Sequence, residues 1–181
     1  MSERRRAELG GERSELSAAE GGTTSGRRPM GIRLSREEAW DVLAAAHTGI
    51  LTTLRADGTP IALPVWFVVL DERIYVGTPE HTKKVARVKR NPRASFLVES
   101  GERWAELLGV HLTGEARIAT DPGVLARVKE ATAEKYDAYR TQRKAMPEAT
   151  QRHYDVAITV LEFVPDDRIL TWDNSRLKQR D

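Results

Sequence analysis

Apolar residues in this chain recur at two spacings, and the switches between them divide it into elements. Trp40, Leu43 and Ala44 follow at helical intervals behind Ser35-Arg36-Glu37-Glu38, a spacing at which serine and glutamate satisfy each other's amides. A first helix is therefore expected to about Ala46. After His47-Thr48-Gly49 the period falls to two. Ile50 to Arg55 and Ile61 to Val69 read as strands joined through Ala56-Asp57-Gly58-Thr59-Pro60, whose Asp-Gly pair signals a tight turn. Asp71-Glu72 turns the chain again into a third strand, Arg73 to Gly77.

Thr78-Pro79 ends that strand, because proline has no amide to give a ladder. Thr82 then opens an amphipathic helix that stops at Asn91-Pro92, since the residue before a proline avoids helical angles. Ala94 to Val98 is a fourth strand. Leu107 to Ile118 is a long fifth one, and its Gly109 and Gly114 mark bulges or sharp coiling. Thr120-Asp121-Pro122 caps a further helix to about Tyr139, and polar Thr141 to Arg152 reads as a loop or a frayed extension. Val156, Ile158 and Val160 alternate in a sixth strand, Pro165-Asp166-Asp167 turns it, and Arg168 to Trp172 is the last. About seven mostly antiparallel strands with few helices favour closure into a barrel, which removes exposed sheet edges.

Composition sets the boundaries. Residues 1–30 are rich in Ser, Gly, Glu and Arg and bury almost nothing, so they are expected to be a disordered tail ahead of one domain over residues 31–181. The 29 basic and 27 acidic side chains nearly cancel, which gives no general case for nucleic-acid or membrane binding; any basic site must be local. There is no cysteine, no apolar run near the ~20 residues of a membrane span and no hydrophobic amino-terminal leader. A soluble cytoplasmic protein is expected. The four histidines, His47, His81, His111 and His153, have neither metal-ligand nor triad spacing.

The helix that opens at Thr82 carries the candidate chemistry. Val85 and Val88 form its buried seam and Lys84 lies only about 70° from it, a cation at the edge of the core in the first turn. A helix start presents unpaired amides and the positive end of the dipole, so Thr82, Lys83 and Lys84 make a phosphate cradle. Arg87 points away from the seam and reads as solvated, with contact to an acidic part of a ligand as the alternative.

Leu51-Thr52-Thr53 with Asp57-Gly58-Thr59-Pro60, then Pro64-Val65-Trp66-Phe67, Thr82-Lys83-Lys84 and Arg90-Asn91-Pro92-Arg93-Ala94-Ser95 together resemble the pyridoxamine 5'-phosphate oxidase-like split-barrel superfamily. More narrowly, the chain is similar to the actinobacterial branch of deazaflavin (coenzyme F420)-dependent oxidoreductases. The likeness continues through Gly109-Val110-His111-Leu112-Thr113-Gly114 and Trp172-Asp173-Asn174-Ser175-Arg176-Leu177.

The resemblance implies a mostly β fold, an antiparallel split β-barrel with peripheral helices. It also implies a homodimer with a flavin or deazaflavin in each of two interface grooves. In such proteins the residues matching Thr82 and Lys84 hold the cofactor phosphate, with Thr78 and Lys83 close by. The ring system lies along the strand matching Pro64, Val65 and Trp66, and an aromatic at the position of Trp104 closes the groove. The expected activity is hydride transfer between F420 and a small organic substrate. Two departures qualify it. Nothing in Trp172 to Asp181 matches the arginine-containing substrate motif of the vitamin B6 oxidases, and Thr82 stands where many F420-binding relatives carry arginine. FMN is therefore the alternative cofactor, and a non-catalytic carrier or redox sensor the alternative role.

Overall fold

The computed structural model describes residues 31–141 and 145–177. The tail expected over residues 1–30 lies outside the described residues. Ser35 caps α1 (Arg36–Ala45) through the expected reciprocal pair: Glu38 N–H donates to Ser35 Oγ at 3.2 Å, and Ser35 N–H to Glu38 Oε2 at 2.7 Å. The strands are β1 (Gly49–Leu54), β2 (Pro60–Val65), β3 (Val68–Leu70), β4 (Arg73–Pro79), β5 (Arg93–Ser100), β6 (Leu108–Ile118) and β7 (Ile158–Asp173). Between them run α2 (Lys83–Arg90), α3 (Pro122–Tyr136) and α4 (Glu148–Tyr154). No helix among the described residues is long and apolar enough to cross a membrane.

All pairings are antiparallel, in the order β2-β1-β5-β6-β7-β4-β3. The outermost strands, β2 and β3, are separated in sequence only by Trp66 and Phe67. Two residues span only about 7 Å, so the sheet has to curl until its edges nearly meet. The fold is a split β-barrel, as expected.

Here the run from Ile61 to Val69, expected to be one strand, is two. The chain leaves one edge of the sheet at Val65 and joins the other at Val68. Tyr136 of α3 closes the break. Its hydroxyl accepts from Phe67 N–H at 2.9 Å and lies 2.8 Å from the carbonyls of Phe67 and His47, while the whole residue is fully buried.

The barrel interior is filled from inward-facing positions such as Leu51, Phe67, Phe96, Val110, Leu112 and Phe163. Trp40 and Leu43 of α1 and Val85 and Val88 of α2 pack on the same cluster. Outside the barrel, α3 covers Val68 and Tyr75 with Val128 and Tyr136.

The sixth and seventh expected strands form one strand, β7. Its register against β6 shifts between Leu112 and Gly114, opposite Pro165 and Ile169. The expected turn at Pro165-Asp166-Asp167 is thus a bulge. Asp166 is held across the sheet by Thr113 Oγ1 at 2.7 Å and by Arg93 at 3.2 Å, which keeps the segment in the sheet. At this bulge a Cβ on Gly114 would collide with the carbonyl of Val164 and Cα of Pro165. Gly114→Ala is expected to destabilise the fold by about 1–3 kcal/mol, read as a lower melting temperature. The segment expected to be loop or frayed helix up to Arg152 contains α4, a separate helix behind Pro147.

Candidate functional site

β4 ends at Thr78-Pro79 and the chain turns over three residues into α2. Thr82 is the N-cap, yet its side chain makes no capping hydrogen bond, and no acidic residue stands in the first turn. Its hydroxyl lies instead 3.3 Å from that of Thr78, which is buried behind it. The opening amides of α2 are thus left without the side-chain acceptor that helix starts usually recruit.

Lys84 is half-buried, and burial, followed by the charge of Arg87, pushes its amine below the usual lysine range. Arg87 is only 8% exposed and donates from Nε to Thr53 Oγ1 at 2.7 Å. Burial, with the charges of Arg55 and Arg90, likewise lowers its pKa. The reading of Arg87 as solvated is therefore wrong. It crosses over the end of β1 and is buried there. Arg90 donates to the Leu54 carbonyl at 2.9 Å.

These side chains line an open groove of about 810 Å³ between α2 and the β1–β2 hairpin, floored by Ile61 and Leu63. The hairpin is fixed by Gly58 at φ +83° and by Asp57, whose carboxylate accepts from Thr59 N–H at 2.9 Å. Asp57 is the one acid lining the groove, set against Arg55, Lys83, Lys84, Arg87 and Arg90. None of these five is ion-paired to a carboxylate of the described residues. Several arginines elsewhere are paired: Arg73 and Arg117 share Glu162 at 2.6 Å each, and Arg127 meets Asp71 at 2.8 Å. A buried cation without a counter-charge is unfavourable. Lys84 and Arg87 therefore mark a place that an anion would stabilise, and the donor set of hydroxyl, helix amides, ammonium and guanidinium suits phosphate.

The structure brings Thr82, Lys83 and Lys84 together on the groove, with Thr78 behind them. Pro64 and Val65 end β2 and Trp66 begins the crossing to β3, and none of the three lines the groove. Pro64 is exposed, whereas the Val65 side chain lies in the core and leaves only its backbone available. Trp66 is 41% exposed, with one face stacked on Tyr136 at 4.5 Å and 5°. Trp104, 64% exposed, sits on a 3-10 turn after β5 and is not among the residues lining the groove. Sequence reasoning missed Arg55 and Arg90. Their signal was spacing: Lys83, Arg87 and Arg90 recur at four and three residues along one face of α2.

A family model described as pyridoxamine 5'-phosphate oxidase matches residues 35–172. A conserved hypothetical protein from Mycobacterium tuberculosis shares 30% identity, covering 83% of this chain and 92% of its own, at a TM-score of 0.67. An FAD binding protein from Mycobacterium smegmatis aligns at 24% identity over 76% of this chain and 94% of its own, TM-score 0.54. The heme storage protein HutZ from Vibrio cholerae does so at 14% over 76% and 94%, TM-score 0.58. At these identities the last two speak for the fold alone. No curated protein matches the sequence. With the barrel, the α2 groove and a family match spanning all seven strands up to Trp172, the chain belongs to the pyridoxamine 5'-phosphate oxidase family.

Proposed function

We propose that this protein is an F420-dependent oxidoreductase of the cytoplasm, acting on a small organic substrate. The observation that carries the reading is the half-buried Lys84, partly withdrawn from water and without a carboxylate partner among the described residues, beside the uncapped start of α2. Thr82, Lys83 and Lys84 hold the cofactor's phosphate, and Thr78 orients the Thr82 hydroxyl. The bound cofactor supplies the hydride chemistry. The chain's own part is to grip the anionic end, align the ring along Pro64, the Val65 backbone and Trp66, and exclude water.

We further propose that the working unit is a homodimer. Pro64, Ile50, Leu97, His111 and Leu170 are register neighbours in one row across the outer face of β2, β1, β5, β6 and β7. Leu170 is 46% exposed there, and a second copy would cover this row and bring its own Trp104 towards the groove. A second reading, FMN in the same groove, is favoured by Thr82, since a hydroxyl and helix amides suffice for a phosphate monoester without the arginine of many F420-binding relatives. Flavin-binding proteins on this fold, such as that of M. smegmatis, fit it as well.

Melting of the purified protein with each cofactor separates the two. A ligand at 100 times its Kd adds about 2.7 kcal/mol, a rise of roughly 5–10 °C for a chain of this size. F420 is expected to give it. A rise with FMN alone would establish the second reading, and binding without turnover of any electron acceptor would leave a carrier.

A further inference from the structure

Trp104 is 64% exposed and stacks on no ring among the described residues, so its indole adds little to the packing of its own protomer. Its backbone is nevertheless firmly held. Around the 3-10 turn Trp104–Glu106, Glu106 N–H donates to the Arg103 carbonyl at 2.9 Å and Arg103 N–H to Glu106 Oε2 at 3.3 Å. Gly101, at φ +101°, runs so close to Glu106 that a Cβ there would collide with its carbonyl. Asn174, just past the end of β7, then grips both sides of the turn. Its Nδ2 donates to the Trp104 carbonyl at 2.7 Å, and its backbone N–H to the Leu107 carbonyl at 2.9 Å.

Asn174 is itself anchored. It opens the 3-10 turn Asn174–Arg176 behind Asp173, whose Oδ1 accepts from Ser175 N–H at 3.0 Å and Ser175 Oγ at 2.6 Å. Arg176 donates from Nε to Asp173 Oδ2 at 3.0 Å, from Nη2 to Glu38 Oε1 at 2.8 Å and from Nη1 to the Arg33 carbonyl at 3.1 Å. Glu38 is the residue that completes the capping box of α1. A connected set of hydrogen bonds thus runs from the start of α1, through Arg176 and Asp173, to the backbone of an exposed tryptophan. Fixing a backbone costs conformational entropy, and here no burial of the indole within the protomer offsets it. Such order serves binding, because a side chain already set in place is not ordered at the moment of association.

We infer that Asn174 is a positioning residue for Trp104: the carboxy-terminal turn sets the indole in advance where it covers the flat ring of the cofactor in the partner's groove. Asp173 and Arg176 hold Asn174 in register for this. The inference rests on the homodimer and on the covering role of Trp104 proposed above. It gives the closing stretch Asp173-Asn174-Ser175-Arg176, which lines no part of its own groove, a share in the site of the second copy.

The test is a double-mutant cycle on the full-length protein, with wild type, Asn174→Ala, Trp104→Ala and the double variant each titrated with F420 and with FMN. Asn174 bonds to the Trp104 carbonyl, which survives in Trp104→Ala. A structural loss from Asn174→Ala therefore lowers the melting temperature equally in both backgrounds. Affinity is expected to behave otherwise. Asn174→Ala alone is expected to weaken cofactor binding about threefold to tenfold, with faster dissociation, and to have no further effect once Trp104 is alanine. Asn174→Asp, of the same size but without the donor, is expected to reproduce the loss and replaces the alanine variant if that one does not fold. An affinity loss of equal size in both backgrounds, or none with either Asn174 variant, overturns the positioning role and leaves Trp104 over the groove. Affinities untouched by Trp104→Ala overturn that placement, and the inference with it. A wild type that binds neither F420 nor FMN overturns the functional reading itself.

Discussion

Lys84→Ala is expected to weaken cofactor binding by about 10- to 150-fold without weakening the fold. The magnitude follows from a hydrogen bond between charged groups, about 1.5–3 kcal/mol. The absence of a folding penalty follows from burial. Lys84 is partly withdrawn from water with no carboxylate beside it, and its pKa is lowered from 10.5 by burial and then by Arg87. Between that lowered value and 10.5 the unfolded chain binds more protons than the folded one, so the ligand-free protein gains stability as pH rises through this window. Below it, the charged Lys84 opposes folding in full. Alanine removes the opposition, so the ligand-free variant is expected to melt no lower than wild type at neutral pH, and its melting temperature to rise less as the pH climbs towards 10.5. Paired titrations and melting curves measure both effects. A variant that binds normally, or that fails to fold, contradicts this role for Lys84.

The largest expected effect on stability lies away from the groove, at Tyr136. Its hydroxyl is the meeting point for Phe67 N–H, the Phe67 carbonyl and the His47 carbonyl, all within 2.9 Å, where the chain steps between the two sheet edges. Phenylalanine fits the same space but strands those groups in a fully buried site. Each unsatisfied group costs about 1–3 kcal/mol, so with three groups stranded Tyr136→Phe is expected to lower the melting temperature by at least about 6 °C. Tyr139 is the control. It is 62% exposed and touches His47 only ring to ring, at 4.3 Å, so Tyr139→Phe is expected to stay within about 0.5 kcal/mol of wild type. Equal effects from the two would show that the hydroxyl of Tyr136 does not hold the split together.

These two residues also show what the sequence discloses and what it hides. The capping box at Ser35, the turn at Asp57-Gly58, the helix stop at Asn91-Pro92 and the exposed-edge position of Lys84 are local, each set by neighbours within four residues, and all were legible. Features fixed by distant partners were not. Trp66 and Phe67 alternate like strand residues, and only the curl of the whole sheet makes them a crossing point. Pro165-Asp166-Asp167 has turn composition, but Thr113 and Arg93 hold Asp166 within a continuous β7. Arg87 looked solvated on a helical wheel because its acceptor, Thr53, is 34 residues away on β1. Tyr136 carried no local signal for the same reason. Its partners are contributed by the α1–β1 connection and the β2–β3 crossing.

Arg55 and Arg90 also belong to this second kind. Arg55 reads as the polar end of a strand and Arg90 as the end of a charged helix, and only the packing of α2 over β1 makes them neighbours of one groove. Local pattern therefore located Thr82, Lys83 and Lys84, and tertiary structure added Arg55 and Arg90 to the same groove.

A crystal structure of the protein with F420 bound tests the central claim most directly. The cofactor phosphate should lie within hydrogen-bond reach of Lys84 Nζ and the first amides of α2, with its ring against β2 at Pro64 to Trp66. A phosphate bound elsewhere, with Lys84 still unpaired, would contradict it.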